Sequence, residues 1–137
     1  MAQIKYNNPG NIGKGDAWQG SVTPGASASF VEFQTLAYGL RALFINTVAK
    51  INNGKNTIEK IITSHAPPTE NNTENYINHV SEWTGIARNS VIQANDIDSL
   101  KKIVRAITRQ EHGVTLSDSE IAEGFDLWQS IKKKELT

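Results

Sequence analysis

The sequence predicts a mainly α domain of the α+β class, with a small N-terminal lobe that is loop-rich and carries a β-hairpin at most. Three observations support this. Apolar residues recur at helical spacing from residue 35 onward. Capping patterns stand at the starts of those stretches. Residues 1–29, by contrast, are rich in Gly, Asn, Ser and Pro and lack helical period. The chain has 137 residues, the size of one domain, divided into a lobe over 1–34 and a helical body over 35–137.

In the lobe, NNPGNIGKG contains three glycines and the turn-forming step Asn8-Pro9. Trp18-Gln19-Gly20 and Phe30-Val31-Glu32-Phe33 read as short extended pieces around a turn at Pro24-Gly25. On such a strand Val31 and Phe33 share one face, and Phe30 and Glu32 the other.

In the body, Thr35 caps a helix running to about Asn52, with Leu36, Leu40, Leu43, Phe44, Thr47, Val48 and Ile51 inward. Asn53-Gly54 ends it. Asn56 with Glu59 forms a capping-box pattern ahead of Ile58, Ile61 and Ile62, and that short helix stops before Pro67-Pro68. Asn71 with Glu74 repeats the pattern before Tyr76, Ile77, Val80 and Trp83, ending at Gly85. A loop with room for a helical turn leads to Asp96. Ser117 with Glu120 starts the last helix, through Ile121, Phe125, Leu127, Trp128 and Ile131 to a basic end that complements its dipole.

The central helix, Asp98 to Gly113, carries the chemistry. Leu100, Ile103, Val104 and Ile107 form its apolar stripe, and Glu111, four residues on, continues it. Gly113 closes the helix. A carboxylate on an inward face at the negative end of a helix dipole breaks two local rules, and such positions are where function is sought first. Burial there favours the protonated form that a general acid needs. The ordinary alternative is a glutamate at a frayed end, turned out to water.

Composition removes other classes. Fourteen basic and 14 acidic side chains leave no net field for nucleic acid or an anionic membrane. Arg105, Arg109, Lys101 and Lys102 read as a solvated helix face. There is no cysteine, and His65, His79 and His112 lack the spacing of a zinc site, so neither metal nor cofactor is expected. No GxSxG or phosphate-binding glycine loop is present. The start, MAQIKYNNPG, lacks the apolar core of a secretory signal, and no apolar run nears the roughly 18 residues of a membrane span.

Of the other acidic residues, Glu32 lies in the lobe, Asp16 just before Trp18, and Glu70 in the loop APPTENNT. Trp18, Tyr38, Tyr76 and Trp83 offer flat faces for sugar rings, against the ordinary alternative of core packing. Asn8, Asn11 and Gln19 are candidate hydrogen-bonding groups.

The run NNPGNI, W-x-G, FxxF, GLRAL, TIEKIITSHAPPTENNTENYINHV and AITRQEHG resembles a family of phage virion proteins described as structural or lysozyme-like. The resemblance extends from Asn7 to Gly113, and APPTENNTENY is its most specific block. The chain departs from the family pattern where a histidine is expected before the glutamate, here Gln110, and where NPGNIR has its arginine, here Gly13. A second, weaker resemblance is to lysozymes, lytic transglycosylases and bacterial glucosaminidases. These place a catalytic glutamate at the end of a core helix, followed by a glycine-rich hairpin. Here AITRQEHG and NIGKGDAWQG…FVEF resemble those pieces in reversed order, as in a circular permutation.

These resemblances imply a lysozyme-like domain that cleaves peptidoglycan glycan strands as a muramidase or lytic transglycosylase. Glu111 is the implied general acid and Glu32 the second carboxylate. Trp18, Tyr38, Asn8, Asn11, Gln19 and Glu70 are the implied substrate contacts. The implied location is a virion, or delivery to the bacterial wall by a phage or secretion machine, with other virion or delivery proteins as partners. The rival expectations are a non-catalytic virion or wall-binding module of the same shape, and an injected effector or its partner protein.

Overall fold

A computed structural model describes residues 4–68 and 72–136, with backbone alone over 132–136. After a single 3-10 turn at Lys5–Asn7 come five helices: α1 (Leu36–Asn52), α2 (Ile58–His65), α3 (Thr73–Thr84), α4 (Ile97–His112) and α5 (Asp118–Leu136). The expected hairpin is corrected. Among the described residues the lobe forms no sheet, only isolated antiparallel bridges, Gly13 with Phe30 and Ser21 with Phe33. The segment 30–33 divides its backbone hydrogen bonds. Val31 N–H donates to the Ile12 carbonyl (3.0 Å), Val22 N–H to that of Glu32 (2.8 Å), and Phe33 N–H to that of Tyr6 (2.8 Å). Pairing shared among three neighbours leaves no ladder long enough for a strand.

The helix ends follow local chemistry. Thr35 accepts from Tyr38 N–H, and Asp96 from Ser99 N–H. Ser117 and Glu120 cap each other reciprocally: Ser117 N–H donates to Glu120 Oε1 at 2.9 Å and Glu120 N–H to Ser117 Oγ at 3.1 Å. Two starts differ from the sequence reading. Thr57, not Asn56, caps α2 by accepting from Lys60 N–H. Asn72 caps α3 by accepting from Asn75 N–H, and Asn71 lies outside the described residues. Glu59 and Glu74 are instead drawn to Arg88 of the 85–96 loop, which donates to both oxygens of Glu74 at 2.7 and 2.8 Å.

The core lies among all five helices, with Leu40, Phe44, Ile58, Ile62, Val80, Leu100, Ile103, Val104 and Ile121 wholly or nearly wholly buried. Phe44 stacks on Trp128 (5.5 Å) and meets Phe125 edge-on (5.8 Å), which joins α1 to α5. Helix α1 is buried beyond the expected stripe: Gly39, Arg41 and Ala42 are buried too. The reason is the lobe, whose cluster of Ile12, Val31 and Phe33 packs on Ala42. Gly39 makes the approach of the N-terminal segment feasible, since a Cβ there would fall 1.9 Å from the Asn7 carbonyl oxygen. No described helix is long and apolar enough to cross a membrane.

Candidate active site

Glu111 sits in the last turn of α4, which Gly113 closes in the left-handed conformation (φ 69°). This turn is where α4 meets the NNPGN loop. His112 Nε2 donates to the Asn8 carbonyl at 2.8 Å, and Asn11 Nδ2 donates to Glu111 Oε1 at 2.8 Å. From α3, Tyr76 Oη–H donates to Glu111 Oε2 at 2.8 Å. From the C-terminus of α2, His65 Nε2 lies 3.8 Å from the same oxygen. Four elements thus converge on one carboxylate. Its side chain retains 20% exposure, against 7% for His65. The expectation of an inward position holds, but the surroundings are polar, with hydrogen donors aimed at both oxygens. A carboxylate offers about four acceptor positions. Asn11 and Tyr76 occupy two of them, which leaves the rest to an incoming group.

The neighbours have displaced acid–base properties. Burial, then the adjacent Glu111 charge, push the Tyr76 phenol well above its usual value and keep it a donor. Burial, then the charge of Lys50, lower His65 to about 4. Lys50 of α1 stands 3.4 Å from His65 Nδ1, and burial followed by repulsion from Lys55 brings it down to about 8.

Of the described residues expected at the site, the structure brings together Asn11, Glu111 and Tyr76, the last through its hydroxyl rather than its ring face. Asn8 is wholly buried and serves the fold. Its amide donates to the Ile12 (3.0 Å) and Val31 (2.8 Å) carbonyls and accepts from Ile12 N–H (2.9 Å), and with no exposure it is closed to a sugar. Glu32 Oε1 accepts from Ala26 N–H (2.8 Å) in an exposed turn. It lines a separate groove of about 410 Å³ with Lys14, Asp16 and Pro24, and none of its contacts reaches Glu111. Trp18 and Tyr38 pack against the lobe's apolar cluster, with the Tyr38 ring pressed on Gly20. The Trp18 Nε1–H is buried without a described partner. Gln19 is exposed. Glu70 lies outside the described residues. Trp83 is stacked on His79 (5.1 Å) and covered by Arg109 (4.1 Å), so its faces are engaged.

Sequence reasoning missed His65, Lys50, His112 and the hydroxyl of Tyr76. His65 and Tyr76 do fall within the block TSHAPPTENNTENY. Lys50 gave no signal beyond its position in a helix's last turn, whereas His112 lies in the block AITRQEHG beside Glu111. Gln110 Oε1 accepts from His79 Nδ1–H at 2.8 Å. The described residues hold no group of three metal-ligating side chains. A wider groove of about 760 Å³ runs over α2 past Lys55, Lys60 and Val91, away from Glu111. It contains no arrangement of acid and oriented donors comparable to that at α4.

No protein-family model matches the chain. It is 36% identical over 130 residues to Protein P5 of Pseudoalteromonas phage PM2, a match covering 90% of this chain and 79% of that protein. With that identity over that share of both chains, the protein belongs to the same family as Protein P5 of phage PM2.

Proposed function

We propose that the chain is a lysozyme-like glycosidase or lytic transglycosylase that cleaves peptidoglycan glycan strands, with Glu111 as the general acid. The observation that carries this reading is the fixed yet partly open Glu111 carboxyl. It is oriented by Asn11 from one side and Tyr76 from the other, and 20% of the side chain reaches solvent. In the proposed reaction Glu111 passes a proton to the glycosidic oxygen as the bond to the anomeric carbon breaks. The resulting carboxylate is held by the Tyr76 and Asn11 donors. It then takes the proton of the attacking hydroxyl. If that hydroxyl is the sugar's own 6-hydroxyl, the product is an anhydro end; if it is water, the product is a reducing end. Glu32 lines a separate groove with Lys14, Asp16 and Pro24, and this reading assigns both proton transfers to Glu111. Kinship with a phage protein supports a role in a virion, delivered to the bacterial wall.

The test is loss of turbidity of purified sacculi, with mass spectrometry of the released muropeptides. Glu111→Gln is isosteric, and the Tyr76 hydroxyl can turn to accept from the new amide, so the variant should fold. Expected is clearance by wild type and a loss of about 100-fold or more in the variant, the scale of general acid catalysis. Equal rates in the two proteins would remove Glu111 from the chemistry.

A second reading, a non-catalytic virion or wall-binding module, is favoured by one observation. Asn11–Glu111 ties the lobe to α4 and Tyr76–Glu111 ties α3 to α4, which is a structural task for the carboxylate. On that reading wild type releases nothing, binds sacculi, and Glu111→Gln changes stability alone.

A further inference from the structure

We infer that His65, held by Lys50, is a positioning residue for Glu111: a neutral imidazole that presents its Nε2–H to the carboxylate from behind. The inference rests on the reading of Glu111 as the reacting group. Its basis is a row of polar side chains through the seam of the helices, with Lys50 Nζ 3.4 Å from His65 Nδ1 and His65 Nε2 3.8 Å from Glu111 Oε2. A lysine ammonium donates and cannot accept. Nδ1 facing that ammonium is then the bare nitrogen, which leaves the hydrogen on Nε2, on the side of Glu111. Among the described residues the Lys50 amine has no carboxylate partner, and its polar contact there is with His65 Nδ1.

Among the described residues, each element packed on His65 contributes charged or titratable groups. They are Lys50 from α1, with Lys55 acting on Lys50 from the following loop, Tyr76 from α3, and Glu111 from α4. His112, also on α4, is turned to the Asn8 carbonyl. Burial, then Lys50, keep His65 uncharged at neutral pH, with a value of about 4. The ring thus acts as an oriented dipole. In the resting protein Nε2 stands 3.8 Å from Glu111 Oε2, longer than a hydrogen bond. A carboxylate that has just released its proton draws the Nε2 hydrogen in, as catalytic contacts that are long in the free enzyme tighten on reaction.

Nitrogen-15 NMR of the histidine rings in the full chain, with kinetics on sacculi, tests the pair. In wild type His65 is expected as the Nε2–H tautomer throughout neutral pH. In Lys50→Met the tautomers mix and the titration midpoint rises above about 4. His65→Leu is expected to lose about 100-fold in kcat with KM little changed, the scale of a misplaced reacting group. His65→Gln, whose amide can replace the Nε2–H donor, should recover much of that loss. An Nδ1–H tautomer in wild type, a His65 titration indifferent to Lys50→Met, or equal rates for the leucine and glutamine variants would overturn the inference. Wild type that releases nothing from sacculi sinks the glycosidase reading instead, and the tautomer measurement then decides the Lys50–His65 pair by itself.

Discussion

The helical body and the N-terminal lobe solve the same problem by different means. In the body, backbone groups are satisfied within each helix, and side chains are free to form an apolar core around α4. In the lobe, residues 4–34 form no sheet among the described residues, and buried side-chain amides take over the backbone's hydrogen bonding. Asn8 bridges Ile12 and Val31, and Asn7 Nδ2 donates to the Phe33 carbonyl at 3.0 Å. The chain bends through left-handed conformations at Tyr6, Asn7 and Asn11 (φ 60°, 51° and 50°), which asparagine tolerates better than most residues. The body is therefore robust to single polar changes, while the lobe depends on a few irreplaceable atoms. The Glu111 site lies on the seam, built half from each.

The sharpest way to break that contrast is Gly39→Ala. The new methyl would fall 1.9 Å from a backbone oxygen of Asn7 and 2.8 Å from Pro9 Cδ, which leaves no flexible side-chain end to yield. A cost of about 3 kcal/mol is expected, the upper range of overpacking. Hydrogen exchange should show protection lost at Val31 and Phe33 while Ile103 and Ile107 keep theirs. If all four lose protection together, lobe and body are one cooperative unit and the contrast fails.

Asn8→Ala comes next. It strips three hydrogen bonds from a site with no exposure and strands the Val31 carbonyl and the Ile12 amide, while the Ile12 carbonyl keeps the Val31 N–H. About 2–3 kcal/mol is expected by urea unfolding, since the stranded groups bear their full desolvation cost. A loss under about 0.5 kcal/mol, the range of ordinary surface changes, would mean that water replaces the amide and that the lobe is looser than its contacts suggest.

Acid should act on the seam. His65 has a folded value of about 4 against 6.5 in the unfolded chain, because burial, then Lys50, disfavour its charged form. Between those values the unfolded chain binds more protons, so stability is full above pH 6.5 and falls as the pH drops toward 4. His65→Gln should flatten that limb of a stability–pH curve measured by thermal unfolding. An unchanged slope would place the proton uptake on another group. Lys50 acts in the alkaline range. Its folded value of about 8 against 10.5 makes stability rise across that interval.

The same contrast sets what the sequence disclosed. Periodicity and caps located the body because helical structure repeats every few residues, and the apolar stripe of α4 led directly to Glu111. The lobe has no period, so Phe30–Phe33 read as a strand although its hydrogen bonds go to three partners. The site was legible only where a residue broke a local rule. Glu111 did so, and Asn11 was named beside it. Asn8 looked like a polar loop residue available to substrate, and only its burial reveals a staple. Tyr76 read as a flat platform, whereas its ring is 4% exposed and its hydroxyl does the work. His65 and Lys50 meet across separate helices, and spacing along the chain carries no trace of such a contact.

The smallest effect separates two adjacent residues at the start of α2. The box pattern Asn56–Glu59 pointed to Asn56 as the cap, but Thr57 accepts from Lys60 N–H at 3.2 Å and Glu59 turns to Arg88. Asn56 contributes its backbone carbonyl instead, which accepts from Ile92 N–H at 2.8 Å and would do so with any side chain. Thr57→Ala should therefore cost about 1 kcal/mol, the usual worth of a cap. Asn56→Ala should stay within about 0.5 kcal/mol. Differential unfolding of the two variants gives the ordering directly. The reverse order would mean that α2 starts one residue earlier in solution, moving Glu59 into its box and freeing Arg88 from one of its partners.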